Sequence, residues 1–311
     1  MSVRATIAVV TKAVAVEPEC WRRADLVAAV EAAGTTVVPV EEATALIWAD
    51  PQNPQLFPPM LHDGLDWVQL PYAGIDPFLH MLDDKRLWTC GKGVYAQPVA
   101  EAALGMLLAG FRHLAGYARE TTWAAPVGQN LHDANVVILG GGGITEELLP
   151  LLTPFRCTTT VLRRKATPVE GATHTKTLAE LREVLPDADA VIVALALTPE
   201  TTGVIGAAEL ALMKSTAWIV NVARGGHLDT AALVDALQHE QIGGAALDVT
   251  DPEPLPDGHA LWTLPNCLIT PHVANTPEMG LKLLAQRVTA NVRAYLADEP
   301  LIGPVDTHAG Y

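Results

Sequence analysis

The chain has 311 residues, 50% of them hydrophobic and 18% charged, with a formal net charge of −15. That length and composition leave room for two domains with sizeable cores and exclude a disordered protein. The acidic balance opposes nucleic acid or anionic lipid as a partner, while a few locally placed arginines still suit a small anionic ligand.

No apolar stretch reaches bilayer-spanning length without charge, Gly or Pro, and Met1-Ser2-Val3-Arg4-Ala5 leads into a strand rather than a signal peptide. A cytoplasmic protein without membrane contact is expected. Cys20, Cys90, Cys157 and Cys267 form no C-x-x-C pair and read as reduced core thiols, so no metal site is expected.

In chain order, residues 5–10 predict a strand, residues 21–33 show helical apolar spacing that Gly34 stops, and residues 35–40 resume as strand. Short strands follow at residues 45–48 and 67–70, separated by the proline-rich residues 51–59. The second ends in Pro71-Tyr72-Ala73-Gly74-Ile75, where Gly74 would let backbone amides approach an anion; the same residues equally suit a plain tight turn. Beyond Trp88-Thr89-Cys90, Pro98 sits near the first turn of an apolar helix running through Leu104, Leu107, Leu108 and Phe111 to Leu114. Its apolar character on more than one face implies burial between domains or subunits.

A second series opens with a strand at residues 134–139, then Gly140-Gly141-Gly142-Gly143-Ile144-Thr145, then a helix at residues 146–152. Strand, glycines and helix in that order are the context of a dinucleotide fingerprint, because glycines permit close approach and a helix N-terminus stabilises pyrophosphate. Thr145 replaces the third glycine of G-x-G-x-x-G and would crowd helix against strand; alone, the motif also fits a glycine-rich turn without ligand. The strand at residues 158–162 ends in Arg163-Arg164-Lys165. An acid there would bind the ribose 2′-hydroxyl of NAD, whereas arginines complement a 2′-phosphate, so NADP is preferred over NAD; the alternative is a solvated basic patch.

Further strands at residues 190–195, 218–222, 242–247 and 267–270 enclose a polar turn at residues 198–202 and a short helix at residues 207–213. A long amphipathic helix at residues 278–297 would pack back against the first domain. Alternating strands and helices predict a parallel, doubly wound sheet. In such a sheet the strand carboxyl ends line one crevice, where Arg224, Glu253 and His272 would face a shared ligand. Taken singly they also read as a surface turn, a polar loop and a satisfied strand-end histidine.

At Val220-Asn221-Val222-Ala223-Arg224-Gly225-Gly226, Ala246-Leu247-Asp248-Val249, Glu253-Pro254-Leu255-Pro256 and Thr270-Pro271-His272-Val273-Ala274, the chain resembles the D-isomer-specific 2-hydroxyacid dehydrogenases. Tyr72-Ala73-Gly74, Val99-Ala100-Glu101, the glycine turn and Leu197-Thr198-Pro199-Glu200-Thr201 extend the resemblance over most of the chain. It implies a Rossmann cofactor domain, residues 98–275, inserted into a flavodoxin-like α/β substrate domain, residues 1–97 and 276–311, with the active site in the cleft and a homodimer formed through the helix near Pro98.

The resemblance also implies roles. Arg224 would hold the carboxylate of a 2-oxoacid in a forked pair, and His272 would protonate its carbonyl oxygen as hydride arrives from a nicotinamide. Glu253 would orient the imidazole and favour its cationic form. Tyr72, Ala73 and Gly74 would line the substrate, together with Arg224 and His272. Gly140, Gly142, Gly143, Ile144, Arg163, Arg164, Leu195, Thr201, Val222, Ala223, Asp248 and Ala274 would hold the cofactor, Asp248 either at the nicotinamide or in support behind it. Ala196 stands where many members have proline, and Glu253 where the formate-oxidising branch has glutamine. A small 2-oxoacid such as glyoxylate or hydroxypyruvate is therefore the expected substrate. The alternatives are a regulatory dinucleotide-binding protein without turnover, as in the related corepressors, and a dehydrogenase of phosphite or formate.

Overall fold

The computed structural model describes residues 11–307, so the strand expected at residues 5–10 lies outside the described residues. The chain divides into two compact units, one running to Val94 and resuming at Pro277, the other spanning Tyr95–Thr276.

The first unit contains β1 (Val14–Glu17), α1 (Arg23–Ala32), β2 (Ala45–Trp48), β3 (Trp67–Gln69) and β4 (Leu87–Thr89). All four strands are parallel, in the order β1-β2-β3-β4. The strand expected at residues 35–40 does not form. Its place is marked by a single parallel bridge between Val14 and Val37, on the side of β1 away from β2, before the chain turns at Val40. Counting that bridge as a vestigial second strand gives the 2-1-3-4-5 order of a flavodoxin-like sheet.

The second unit begins with α2 (Ala96–Phe111) and α3 (Leu114–Tyr117), then β5 (Asn135–Leu139), α4 (Gly143–Leu152), β6 (Thr158–Arg163) and β7 (His174–Thr177). It continues through α5 (Leu181–Val184), β8 (Ala190–Val193), α6 (Ala207–Leu210), β9 (Trp218–Asn221), α7 (Thr230–Gln238), β10 (Gly244–Leu247) and β11 (Cys267–Ile269). These seven strands are parallel in the order β11-β10-β9-β8-β5-β6-β7, the doubly wound Rossmann arrangement. Both faces of the sheet are covered, which is why β5, β8, β9 and β10 are near-continuous apolar runs. Alternate residues serve opposite cores: Val136 and Ile138 pack with α2 and α4, while Val137 and Leu139 pack towards α6 and α7. At the edge, β7 has the sequence His-Thr-Lys-Thr and no apolar side chain, so sequence periodicity gives no sign of it.

Finally α8 (Pro277–Leu296) returns to the first unit and packs on α1. Asn291, fully buried on α8, donates to Gln69 Oε1 and to the Ile302 carbonyl, both at 2.9 Å, and accepts from Ile302 N at 2.8 Å. Gln69 in turn accepts from Thr89 Oγ1 at 2.8 Å, so α8 is tied to β3 and β4 through a satisfied buried network. Among the described residues no helix is long and apolar enough to cross a membrane.

Candidate active site

In the second sheet the strand order reverses between β5 and β8, the place where an open α/β sheet opens a crevice at its carboxyl edge. Gly140 follows β5 there with φ +114, and a Cβ on it would fall 2.3 Å from the Ala194 carbonyl oxygen after β8. Only glycine fits, on grounds of both dihedral and space. Around Gly142, at the N-cap of α4, a Cβ would meet nothing within 4 Å, and the first-turn amides of Gly143 and Ile144 follow it directly. Thr145 takes the place of the third glycine, at the start of α4. Its side chain is fully buried and its hydroxyl donates to the Gly140 carbonyl at 2.8 Å, turning the missing glycine into an extra tie across the loop.

Arg163 closes β6 with its stem against Gly141 and its Nη1 3.4 Å from the Thr167 carbonyl. Arg164 is exposed and close enough to Glu200 that its charge helps hold that carboxyl below its ordinary range, behind the larger effects of hydrogen bonds from Thr198 and from the backbone. Leu195 and Thr201 flank the loop after β8. Thr201 shapes it internally, donating to the Ala196 carbonyl at 2.8 Å and accepting from Thr198 N at 2.8 Å.

The next three strand ends carry the polar residues singled out from sequence. After β9, the fully buried Asn221 latches the turn: its Oδ1 accepts from Ala223 N at 3.0 Å and its Nδ2 donates to the Arg224 carbonyl at 2.8 Å. Val222 and Ala223 are buried in that turn, and Arg224 is half-buried with Nη1 donating to the Ala223 carbonyl at 2.8 Å. Gly225 is required by its neighbour, since a Cβ would lie 2.0 Å from the Thr250 carbonyl. The arginine turn is thereby packed directly on the segment leading to Glu253.

After β10, Asp248 is 2% exposed and accepts three hydrogen bonds from the segment after β11: Thr270 Oγ1 at 2.6 Å, Val273 N at 2.9 Å and Ala274 N at 3.0 Å. Between those donors His272 adopts a left-handed backbone, φ 54, and its N–H donates to the Asp248 carbonyl at 2.8 Å. The His272 side chain then reaches Glu253, with Nδ1 2.5 Å from Oε1. The pair is about half exposed, 50% and 41% for the two side chains. Imidazole and carboxylate meet, and Asp248 acts as the clamp beneath them. Tyr72, Ala73 and Gly74 belong to the first unit, following β3, where the Tyr72 carbonyl accepts from Gly91 N at 2.6 Å.

Sequence reasoning missed His227. It is fully buried three residues after Arg224, with Nδ1 3.0 Å from the Thr201 carbonyl and Nε2 3.2 Å from the Leu195 carbonyl. It therefore ties the arginine turn to the loop after β8. Its one sequence signal is a histidine inside an otherwise apolar and glycine-rich run. Burial pushes its pKa below 6.5, the two carbonyls oppose that, and the Arg224 charge adds to it.

Two outcomes follow. Asp248→Asn would aim an N–H₂ group at a site supplied only with donors, and should cost about 1–3 kcal/mol in denaturant unfolding while amide exchange at Val273 and Ala274 accelerates. For His227, the unfolded chain binds the proton more readily than the folded one. Its contribution to stability is therefore complete above pH 6.5 and is lost as pH falls towards the depressed folded pKa. Thermal unfolding from pH 8 to pH 5 should show a shallower acid-side loss in His227→Leu than in the wild type. At pH 8 the same variant should be less stable by about 1–3 kcal/mol because a carbonyl loses its donor.

The family profile described as D-isomer specific 2-hydroxyacid dehydrogenase, NAD binding domain, matches residues 102–274. The uncharacterized protein in proB 3'region of Corynebacterium melassecola is 40% identical over 261 residues, 81% of this chain and 86% of its own. Glyoxylate reductase/hydroxypyruvate reductase of Homo sapiens is 32% identical over 218 residues, 67% of this chain and 66% of its own. Among solved structures, the D-isomer specific 2-hydroxyacid dehydrogenase from Xanthobacter autotrophicus Py2 in complex with NADPH and MES has a TM-score of 0.82 at 28% identity, covering 96% of this chain and 99% of that one. The chain thus belongs to the D-isomer specific 2-hydroxyacid dehydrogenases, a family of NAD(P)-dependent oxidoreductases, and its Tyr95–Thr276 unit carries that family's NAD-binding domain.

Proposed function

We propose that this protein is an NADP-preferring reductase of a small 2-oxoacid, with glyoxylate and hydroxypyruvate the simplest substrates. The observation that carries the reading is the His272–Glu253 pair at 2.5 Å, next to the strand end that presents Arg224. A carboxylate on Nδ1 fixes the ring tautomer and leaves Nε2 to hold or release a proton. Arg224 would take the substrate carboxylate in a forked pair, a geometry lysine cannot reproduce. When bound, the reduced nicotinamide supplies the hydride. His272 would deliver the proton to the carbonyl oxygen, and Glu253 would steady the imidazole as it changes charge.

The residues present fit a dinucleotide. The crowded Gly140, the open space at Gly142 and the N-terminus of α4 together suit pyrophosphate, through the Gly143 and Ile144 amides. Arg163 and Arg164 at the end of β6 support a 2′-phosphate rather than a bare ribose. In the same reading, Leu195, Thr201, Val222, Ala223 and Ala274 border the cofactor, Asp248 supports the site from below, and Tyr72, Ala73 and Gly74 belong to the substrate side. Glutamate rather than glutamine at position 253 favours an oxoacid over formate.

Initial rates with NADPH and NADH across glyoxylate, hydroxypyruvate and pyruvate test this directly. NADPH should be consumed faster, and Arg224→Ala should lose about 2–5 kcal/mol of transition-state binding, roughly 30- to 5,000-fold in kcat/KM. Absence of turnover with every small oxoacid would refute it. A homodimer through the helix that begins at Ala96 belongs to the same proposal, supported by the exposed Leu114 and Trp123 that follow it. Sedimentation should give a dimer at micromolar concentration; a monomer would rule that part out.

A further inference from the structure

His227 is fully buried, and both of its ring nitrogens meet acceptors: Nδ1 lies 3.0 Å from the Thr201 carbonyl and Nε2 3.2 Å from the Leu195 carbonyl. A neutral imidazole has one N–H, so one of these carbonyls faces a lone pair instead of a donor. Only the imidazolium serves both. The ring therefore sits in a cradle shaped for a proton that its surroundings oppose, through burial first and the positive charge of Arg224 second.

Ring, arginine and both carbonyls lie within the Tyr95–Thr276 unit. His227 and Arg224 share one turn, His227 N donating to the Arg224 carbonyl at 3.3 Å. The acids nearest in the chain are engaged elsewhere or exposed. Glu200 is exposed and takes hydrogen bonds from Thr198 and the backbone, Asp229 is exposed and caps α7 through Ala232 N at 3.0 Å, and Asp251 is exposed. Asn221, on the other side of the turn, is uncharged and occupied by Ala223 N and the Arg224 carbonyl. Arg224 is thus the charge that acts on the ring. Burial is fixed by the fold, but the field of Arg224 changes when an anion pairs with it.

We propose that His227 is a positioning residue whose ring takes up a proton when a carboxylate pairs with Arg224, the imidazolium then holding the loop after β8 to the arginine turn through both carbonyls. The inference rests on the carboxylate role given to Arg224 above and extends it. A carboxylate against the guanidinium offsets its field at the ring, and the two carbonyls then favour the cation. The proton comes from solvent, and each carbonyl ends with a charge-assisted donor. Linkage makes the effect reciprocal: the proton strengthens anion binding by the factor with which the anion strengthens proton binding. The ring's pKa lies below 6.5 before the anion arrives and rises on pairing, so anion affinity increases as pH falls and levels off below the depressed value. Leu195 and Thr201, which border the cofactor in the same reading, feel the substrate through this ring.

NMR of the full chain carrying isotope-labelled histidine reads the ring directly, its signal assigned through proximity to Leu195 and Thr201. Saturating glycolate with NADP should move the His227 midpoint to higher pH, and Arg224→Gln should do so without any ligand. Calorimetry of glycolate binding near pH 6, in buffers of different ionisation heat, should show more proton uptake by the wild type than by His227→Asn, which keeps a donor for Thr201 and cannot titrate. From pH 8 to pH 5, glycolate should tighten more in the wild type than in His227→Asn, by about 5-fold. Protons exchanged at His272 are common to both chains and drop out of the comparison. A midpoint unmoved in Arg224→Gln, bound glycolate that leaves it in place, or equal uptake by the two chains overturns the inference while the reductase reading stands. The midpoint measurements need no His227 variant, so a misfolded His227→Asn does not shelter the inference. If neither glycolate nor any small oxoacid binds, the reductase reading and the inference fall together.

Discussion

A buried carboxylate sets the geometry of this site. Asp248 lies at the end of β10 with 2% of its surface exposed, and a charge so placed persists only if its oxygens are satisfied. The three donors that satisfy it all come from residues 270–274, so the segment bearing His272 cannot shift without stranding a buried charge. The same clamp sustains the left-handed backbone of His272, a conformation that costs an ordinary residue about 1–2 kcal/mol. Glu253 then sees an imidazole whose position is already decided.

The strand ends are brought together by the absence of side chains as much as by their presence. Gly140 permits β5 and β8 to be followed by turns in direct contact, and Gly225 lets the arginine turn rest against the Thr250 carbonyl. Asn221 and His227 fill the polar demand that such close backbone packing creates, each meeting carbonyls that no strand pairing reaches. Thr145 belongs with them, since its hydroxyl serves the Gly140 carbonyl. The sheet beneath, apolar on both faces, gives these turns a rigid base.

Against a net charge of −15, four arginines stand at strand ends: Arg22 after β1, Arg163 and Arg164 at the end of β6, Arg224 after β9. An acidic exterior repels anionic ligands at long range, so binding them depends on local, partly desolvated arginines where screening is weak. Arg23 shows the contrast, its charge absorbed by Glu17 and Glu19.

Much of the second unit was legible because parallel strands covered on both faces must be continuous apolar runs, and β5, β8 and β9 read so. The expected strand at residues 35–40 failed for a reason local periodicity cannot register: only Val37 pairs, Pro39 has no N–H to extend a ladder, and the chain turns at Val40. Edge strand β7 was invisible, having no buried face to demand apolar residues. Arg224, Glu253 and His272 can be singled out as candidates from residue type and order alone, following β9, β10 and β11. Sequence alone determined which chemical groups the chain possesses and the succession of elements that carries them to one edge of a sheet. Tertiary structure decided that Asp248 is a clamp, His227 a strut and Arg22 a buried cation, because desolvation and hydrogen-bond geometry are set by neighbours distant along the chain.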